Sequence, residues 1–302
     1  MLNFGLFGTG HWAAGTHAAA LATHPGTRLA GVWGRDPAKA RALADRYGVP
    51  AFGDIDELIA AVDAVAVALP PDVQADIAVR AADAGRHLLL DKPVAFDLAS
   101  ADRLVDAAER SGVASVVFFT NRFHPDIASH LAAAAATGGW HGARATLFAS
   151  IFRPENPYGG SPWRRERGGL WDVGPHALSM LIPVLGAVTE VAAMDAPRDT
   201  VHLLLRHAGG PTSTVALTLD APAEATTFEV VFHGEDGFDP VPRSSGTAVE
   251  ALVVALDQLV EEVASGTRDG ICDVRFGRDV VAVLDAAETA RAEGRTVPVS
   301  AR

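Results

Sequence analysis

Cysteine is nearly absent from this chain: Cys272 is the only one in 302 residues, so no disulfide can form within it and a reducing compartment is expected. Positive charge is also in short supply, with 25 basic against 37 acidic residues and a net charge of −12. Such a field repels polyanions and disfavours general nucleic-acid binding, though a local basic pocket could still hold one phosphate. No stretch reaches the roughly 18 uninterrupted apolar residues of a membrane-spanning helix. The opening Met1-Leu2-Asn3-Phe4-Gly5 runs straight into strand-like sequence, without a charged leader or apolar h-region, so the expected setting is cytoplasmic. Lys39 and Lys92 are the only lysines, and Tyr47 and Tyr158 the only tyrosines, so a chemically useful amine or phenol has few possible homes. What is plentiful is the mixture of an ordinary globular chain, 49% hydrophobic and 21% charged, at a length that suggests two domains.

The first part alternates short apolar runs with amphipathic stretches. Strands are expected at Leu2 to Phe7, Leu29 to Trp33, Ala64 to Leu69, His87 to Leu90 and Ala114 to Phe119. Between them lie helical patterns at His11 to Ala22, Ala38 to Tyr47, Asp72 to Ala84 and Asp97 to Ser111, three of them closed by Gly48, Gly85 and Gly112. That rhythm predicts an α/β, doubly wound parallel sheet with right-handed crossovers. After a helix near Asp126 to Ala136 the rhythm changes. Alternating segments at Ala143 to Phe152, Val188 to Met194, Val201 to His207, Ser213 to Leu219 and Thr226 to His233 predict a mainly antiparallel open sheet in an α+β unit, with a hairpin at Gly209-Gly210. Helices near Thr247 to Ala264 and Val274 to Ala292 finish the chain. The seam is expected near Thr120-Asn121, giving domains 1–120 and 121–302.

Gly8-Thr9-Gly10-His11-Trp12-Ala13 fits G-x-G-x-x-A directly after the first strand and at the start of a helix. The first glycine permits a tight turn, the second lets backbone approach a pyrophosphate, and the small last residue lets helix and strand pack closely. The helix N-terminus then offers amides to the anion, so a dinucleotide is the expected ligand. Gly34 stands at the end of the second strand where an NAD site wants a carboxylate for the ribose 2′-hydroxyl, and Arg35 follows. Asp36 before Pro37 reads more economically as a helix N-cap than as a ribose ligand. NADP is favoured over NAD, with Arg35 as a solvated loop residue the plain alternative.

Asp91-Lys92-Pro93 follows a strand at its carboxyl end, where open α/β sheets bind ligands; Lys92 is either a substrate-site amine or an ordinary loop lysine. In Gly168-Gly169-Leu170-Trp171-Asp172-Val173-Gly174-Pro175-His176, a helix beginning near Asp172 puts Asp172 and His176 on one face. A carboxylate and an imidazole so placed can bind neighbouring hydroxyls and move a proton, or can equally be a cap and a core histidine. Tyr158 and Trp163 lie in a Gly- and Pro-rich stretch that could line a pocket. His24, His130, His207 and His233 read as surface or turn residues, and Cys272 as a packing residue. No metal site is expected.

In order along the chain, Gly8 to Ala13, Leu69-Pro70-Pro71, Ala84-Gly85-Arg86-His87, Asp91-Lys92-Pro93, Asn121-Arg122-Phe123-His124-Pro125, Trp163-Arg164 and Gly168 to His176 resemble the glucose–fructose oxidoreductase, inositol dehydrogenase and rhizopine-catabolism (Gfo/Idh/MocA) family. The resemblance spans nearly the whole chain. It implies an N-terminal Rossmann domain and a C-terminal domain whose open sheet forms a homodimer or homotetramer. It also implies that Lys92, Asp172 and His176 line a substrate site beside a nicotinamide. Gly8, Thr9, Gly10, His11, Trp12, Gly34, Arg35, Leu69, Pro70, Asp91, Lys92, Asn121, Trp163 and Arg164 are the matching candidates for cofactor binding. Three positions depart from the family pattern. Asp91 replaces the usual glutamate, Gln74 lies where many relatives have histidine, and Ser179 where many have aspartate.

The implied activity is an NAD(P)-dependent oxidoreductase, NADP-preferring, that interconverts a secondary alcohol and a carbonyl on a sugar, cyclitol or related polyol. His176 is the first choice for acid/base work because imidazoles exchange protons near neutral pH. Lys92 holds the reacting oxygen or itself carries the proton, and Asp172 orients the pair. The rival is a non-catalytic dinucleotide-binding sensor on the same fold, which needs the glycine turn but not Lys92, Asp172 and His176.

Overall fold

Buried apolar runs alternating with capped helices build the first unit. In the computed structural model, which describes residues 1–302, β1 (Leu2–Phe7) leads through a π-helical turn at Ala13–His17 into α1 (Ala18–Thr23). There follow β2 (Thr27–Trp33), α2 (Pro37–Tyr47), β3 (Ala51–Phe52), α3 (Ile55–Ala60), β4 (Ala64–Val67), α4 (Pro71–Asp83), β5 (His87–Asp91), α5 (Leu98–Ser111) and β6 (Ser115–Phe118). All six strands are parallel in the order β3-β2-β1-β4-β5-β6, so the winding reverses between β1 and β4. Such a reversal opens a crevice at the carboxyl ends of the strands. Buried on both faces, β4 is a continuous apolar run, and β6 is apolar after Ser115, rather than alternating. Asp36 caps α2 by accepting from the Ala38 and Lys39 amides, and Gly48 ends it in the left-handed conformation. β3 and α3 were not expected: a two-residue strand has no visible period.

The chain continues with α6 (Pro125–Thr137), β7 (Trp140–Phe148), α7 (Pro162–Asp172), α8 (Gly174–Leu185), β8 (Val188–Ala196), β9 (Thr200–His207), β10 (Thr212–Thr218), β11 (Thr227–Gly234) and β12 (Gly237–Pro240). It closes with α9 (Ala248–Ser265), α10 (Val274–Glu293) and β13 (Val297–Pro298). The second sheet has the order β12-β11-β7-β10-β9-β8-β13 and is antiparallel except for the parallel pair β7 and β10. Along β9 burial alternates strictly, with Val201, Leu203 and Leu205 inside and His202, Leu204 and Arg206 outside, as a sheet covered on one face requires.

The division into contiguous halves 1–120 and 121–302 needs correction. One compact unit is Met1–His124 with Gly246–Arg278, and the other is Pro125–Ser245 with Asp279–Arg302. The chain therefore passes between units three times, and α9 belongs with the first sheet. The periodicity of α9 announces a buried face, which Leu252, Leu256 and Leu259 supply, but not the surface that receives it.

Two histidines read as surface residues are buried. His24 is 5% exposed and lies 2.9 Å from an Asp257 carboxylate oxygen. His207 is 1% exposed, with Nδ1 2.8 Å from the Gly186 carbonyl and Nε2 2.8 Å from Ser213 Oγ. The carbonyl can only accept, so Nδ1 carries the proton and the Ser213 hydroxyl donates to Nε2. Burial pushes the pKa of His207 below its ordinary 6.5, with the Gly186 bond pulling the other way. His87 is likewise lowered, by burial first and by the charge of Arg268 second. The unfolded chain protonates both near 6.5 while the fold resists, so their stabilising contribution is whole above that pH and is lost as pH falls through the folded values. Denaturant midpoints are expected to fall between pH 7.5 and 5, and His207→Gln is expected to flatten that slope. A wild-type midpoint independent of pH would refute the account.

Candidate active site

The glycine turn stands at the switch point of the first sheet. Gly8 directly follows β1 at φ +135°, and a Cβ on it would lie 2.5 Å from the Ala68 carbonyl oxygen beyond β4. Only glycine fits both constraints. A Cβ on Gly10, by contrast, would meet nothing within 4 Å. The space beside that backbone is open where the motif requires a pyrophosphate to approach, and the following helix begins at His11, its first turn closed by Ala14 N–H onto the Gly10 carbonyl. These residues fit a dinucleotide.

The end of β2 abuts the same turn. A Cβ on Gly34 would come 2.5 Å from Thr9 Cγ2, so the carboxylate-bearing residue usual in NAD sites would displace Thr9. Arg35 is exposed, and Asp36 Oδ1 is engaged by the Ala38 and Lys39 amides at 3.0 and 3.2 Å. Leu69 and Pro70 follow β4, and Pro70 leads into α4. Trp12 stacks on Phe118 of β6 with ring centroids 6.3 Å apart, and Asn121 sits in the 3-10 turn Thr120–Phe123 after that strand.

Lys92 is the first residue beyond β5 and Asp91 the last within it. Two fully buried polar side chains that the motifs did not single out as site residues converge on this segment. His17 Nε2 lies 3.3 Å from Asp91 Oδ2, and the Gln74 carboxamide bonds the main chain of Asp91 and Pro93. Gln74 was visible as a departure from the family pattern. A polar residue on the otherwise apolar stripe of Pro71, Ala75, Ile77 and Ala78 was the further signal. His17 carried no such signal, because the alanine-rich run around it does not reveal a π-turn.

The second unit holds the other candidates. Gly168 interrupts α7 at φ +64°, where a Cβ would collide with the Asp199 carboxylate, and Asp199 Oδ2 accepts the Gly169 N–H at 2.9 Å. Burial pushes the Asp199 carboxyl up from its ordinary range and the Gly169 bond draws it back. This contact sets the entry into the last turn of α7. Asp172 is the final residue of α7, and His176 lies in the first turn of α8, with Val173 between the helices. The expected helix starting at Asp172 is therefore corrected. The end of α7 at Asp172 and the restart at Gly174-Pro175 put the pair across a junction, where His176 N–H bonds the Val173 carbonyl three residues back.

Asp172 is 7% exposed and accepts from Arg164 Nε at 2.8 Å. The Arg164 guanidinium also lies over the Trp163 ring at 4.4 Å and the Tyr158 ring at 5.2 Å. Arg164 and Trp163, expected at a cofactor, are thus joined to Asp172, and Tyr158 stands with them. His176 is half-buried, its ring 6.5 Å from that of Phe228. Ser179 turns its hydroxyl onto the His176 carbonyl at 2.9 Å.

Residues 2–119 match the family described as "Oxidoreductase family, NAD-binding Rossmann fold" and residues 132–238 match the "GFO/IDH/MocA C-terminal domain". The chain belongs to the GFO/IDH/MocA family of NAD(P)-dependent oxidoreductases. Among curated relatives, D-xylose 1-dehydrogenase (NADP(+)) 2 of Haloferax volcanii is 29% identical over 276 residues, 86% of this chain and 81% of that one. An uncharacterized oxidoreductase, ORF334 of Rhizobium meliloti, is 34% identical over 115 residues, and the match spans only 34% of its length. Among solved structures, GenD2 from gentamicin A biosynthesis in complex with NAD aligns with a TM-score of 0.86 at 24% identity, covering 99% of this chain and 97% of that one. Levoglucosan dehydrogenase in complex with NADH and levoglucosan aligns at 0.86 and 20% identity, covering 99% of each. At these identities the structures establish the fold.

Proposed function

We propose that this chain interconverts a secondary alcohol and a carbonyl on a sugar, cyclitol or related polyol with NADP as preferred cofactor. The observation that carries the reading lies within one unit: an open glycine turn at the β1/β4 switch point and Lys92 at the carboxyl end of β5, its flanking carbonyls bonded by Gln74. A nicotinamide cofactor held at that turn would supply the hydride chemistry. Lys92 holds the reacting oxygen and offsets the negative charge that grows on it. His176 takes up or returns the hydroxyl proton, and Asp172, fixed by Arg164, holds a neighbouring hydroxyl. The names of the relatives support the substrate class, since those proteins act on D-xylose and levoglucosan.

The test is absorbance of reduced cofactor during incubation with D-xylose, levoglucosan, myo-inositol and simple diols, with NAD and NADP in parallel. Net accumulation with at least one polyol is the expected result. Cofactor binding without turnover on any of them would favour the sensor reading instead.

NADP preference is supported by the absence of a carboxylate at Gly34, the use of Asp36 as a cap and the exposed Arg35 beside them. Arg35→Ala is expected to raise the KM for NADPH about tenfold or more, the worth of a charge-assisted bond to a phosphate, with less than about a twofold change for NADH. An unchanged NADPH-to-NADH ratio removes Arg35 from the site. Self-association as a homodimer or homotetramer through the second sheet is part of the same reading. It is supported by the open face of β8 and β9, where Met194 and Leu204 are 72% and 52% exposed. A monomeric sedimentation mass at micromolar concentration would overturn it. The free thiol of Cys272 is buried, and burial pushes it up to about 12, so it stays protonated and serves packing rather than chemistry.

A further inference from the structure

β5 ends at Asp91, and the residues that follow it have no strand partner to hold them. Their main chain is held by side chains instead. Gln74, 0% exposed in α4, donates from Nε2 to the carbonyls of Asp91 at 2.8 Å and Pro93 at 3.1 Å, while its Oε1 accepts the Asp91 amide at 2.9 Å. One planar carboxamide thus binds the residues on both sides of Lys92. A histidine at this position offers one donor and one acceptor pointing apart, and cannot make the same three bonds. The Asp91 carboxylate carries the chain further: Oδ1 accepts the Lys92 amide at 3.2 Å, and Oδ2 lies 3.3 Å from Nε2 of His17, itself 0% exposed in the π-turn after the glycine loop. Every step in this network lies in a single unit of the fold.

We propose that Gln74 and His17 are positioning residues that clamp Asp91 and Pro93 and so fix the origin of the Lys92 side chain. The catalytic consequence rests on the assignment of Lys92 to the reacting oxygen; the clamp itself does not. Gln74 holds both flanks of the lysine, and His17 ties the same segment to the turn that receives the dinucleotide. A displacement of about 1 Å at a reacting group costs up to about a hundredfold in rate, so a loop lysine needs such an anchorage.

The chain's two lysines make the test direct. Protein labelled with ¹³C at the lysine ε-carbon gives one signal for Lys92 and one for Lys39, which serves as an internal reference. Gln74→Met keeps the length and loses all three bonds, whereas Gln74→Glu keeps only the acceptor and covers the case in which the first variant does not fold. His17→Gln retains a donor and His17→Leu does not. The expected result is a shifted or broadened Lys92 signal in Gln74→Met, Gln74→Glu and His17→Leu, restored in His17→Gln, with Lys39 unmoved. A Lys92 signal identical to wild type in folded Gln74→Met or Gln74→Glu overturns the proposal. Turnover is followed with NADP on whichever of D-xylose, levoglucosan and myo-inositol is oxidised fastest. There kcat is expected to fall about 10- to 100-fold in Gln74→Met while the KM for NADP stays within about twofold. A displaced Lys92 signal with unchanged kcat leaves the clamp standing and removes Lys92 from catalysis.

Discussion

Lys92→Ala and His176→Ala are each expected to lower kcat by about 10²–10⁴-fold while the Kd for NADPH, read by quenching of tryptophan fluorescence, changes less than about threefold. The separation follows from where the two functions reside. The open space at Gly10, the close fit of Gly8 against Ala68 and the packing of Gly34 on Thr9 involve neither side chain, so the surface that takes the dinucleotide survives both substitutions. Lys92→Arg keeps a cation but spreads its charge over a plane, and is expected to recover little activity where a compact ammonium is needed. Loss of cofactor binding alongside activity in Lys92→Ala would mean that the lysine holds the dinucleotide rather than the reacting oxygen. Full activity in both alanine variants would leave the oxidoreductase chemistry without its named residues.

Trp171→Ala is expected to be the most destabilising single change in the second unit, at about 3–5 kcal/mol. The ring is fully buried, its Nε1 donates to Glu288 Oε1 at 2.8 Å, and the same carboxylate receives Arg167 Nη1 at 3.1 and 3.3 Å. Truncation opens a cavity and takes away one of the donors that satisfy Glu288. Trp171→Phe preserves most of the volume and should cost less, about 1–3 kcal/mol for the lost bond. Because Trp171 directly precedes Asp172, kcat is also expected to suffer more from the alanine than from the phenylalanine. Urea denaturation followed by far-ultraviolet circular dichroism ranks the two. Equal midpoints for Trp171→Ala and wild type would show that this region repacks without loss.

What could be read in advance followed the range of the interactions involved. β1 with Gly8 and Gly10, and α2 between Asp36 and Gly48, were legible because strand, turn and caps are specified within about ten residues. The helix boundary at Asp172 was misread because a four-residue spacing looks the same in one continuous helix as across a restart. The break at Gly168, ahead of the pair, is met by a carboxylate 30 residues away, Asp199 on Gly169, while the division at Val173 follows from Pro175, which has no N–H to carry α7 onward. His207 was misread for a related reason: its partners, Gly186 and Ser213, are brought to it by sheet register rather than by neighbouring sequence. Gln74 announced itself as a polar intruder among alanines, but the Asp91 and Pro93 carbonyls it serves depend on α4 lying beside β5.

The return of α9 to the first unit bears on how the chain acquires its shape during synthesis. Leu252, Leu256 and Leu259 complete a core whose other members were translated long before, and His24 meets Asp257 across 233 positions. The emerging amino-terminal segment must therefore wait, with an apolar flank uncovered, until residues up to Arg278 have left the ribosome. A fragment stopped at Thr120 would carry the entire glycine turn and still present that uncovered flank to chaperones and to other copies of itself.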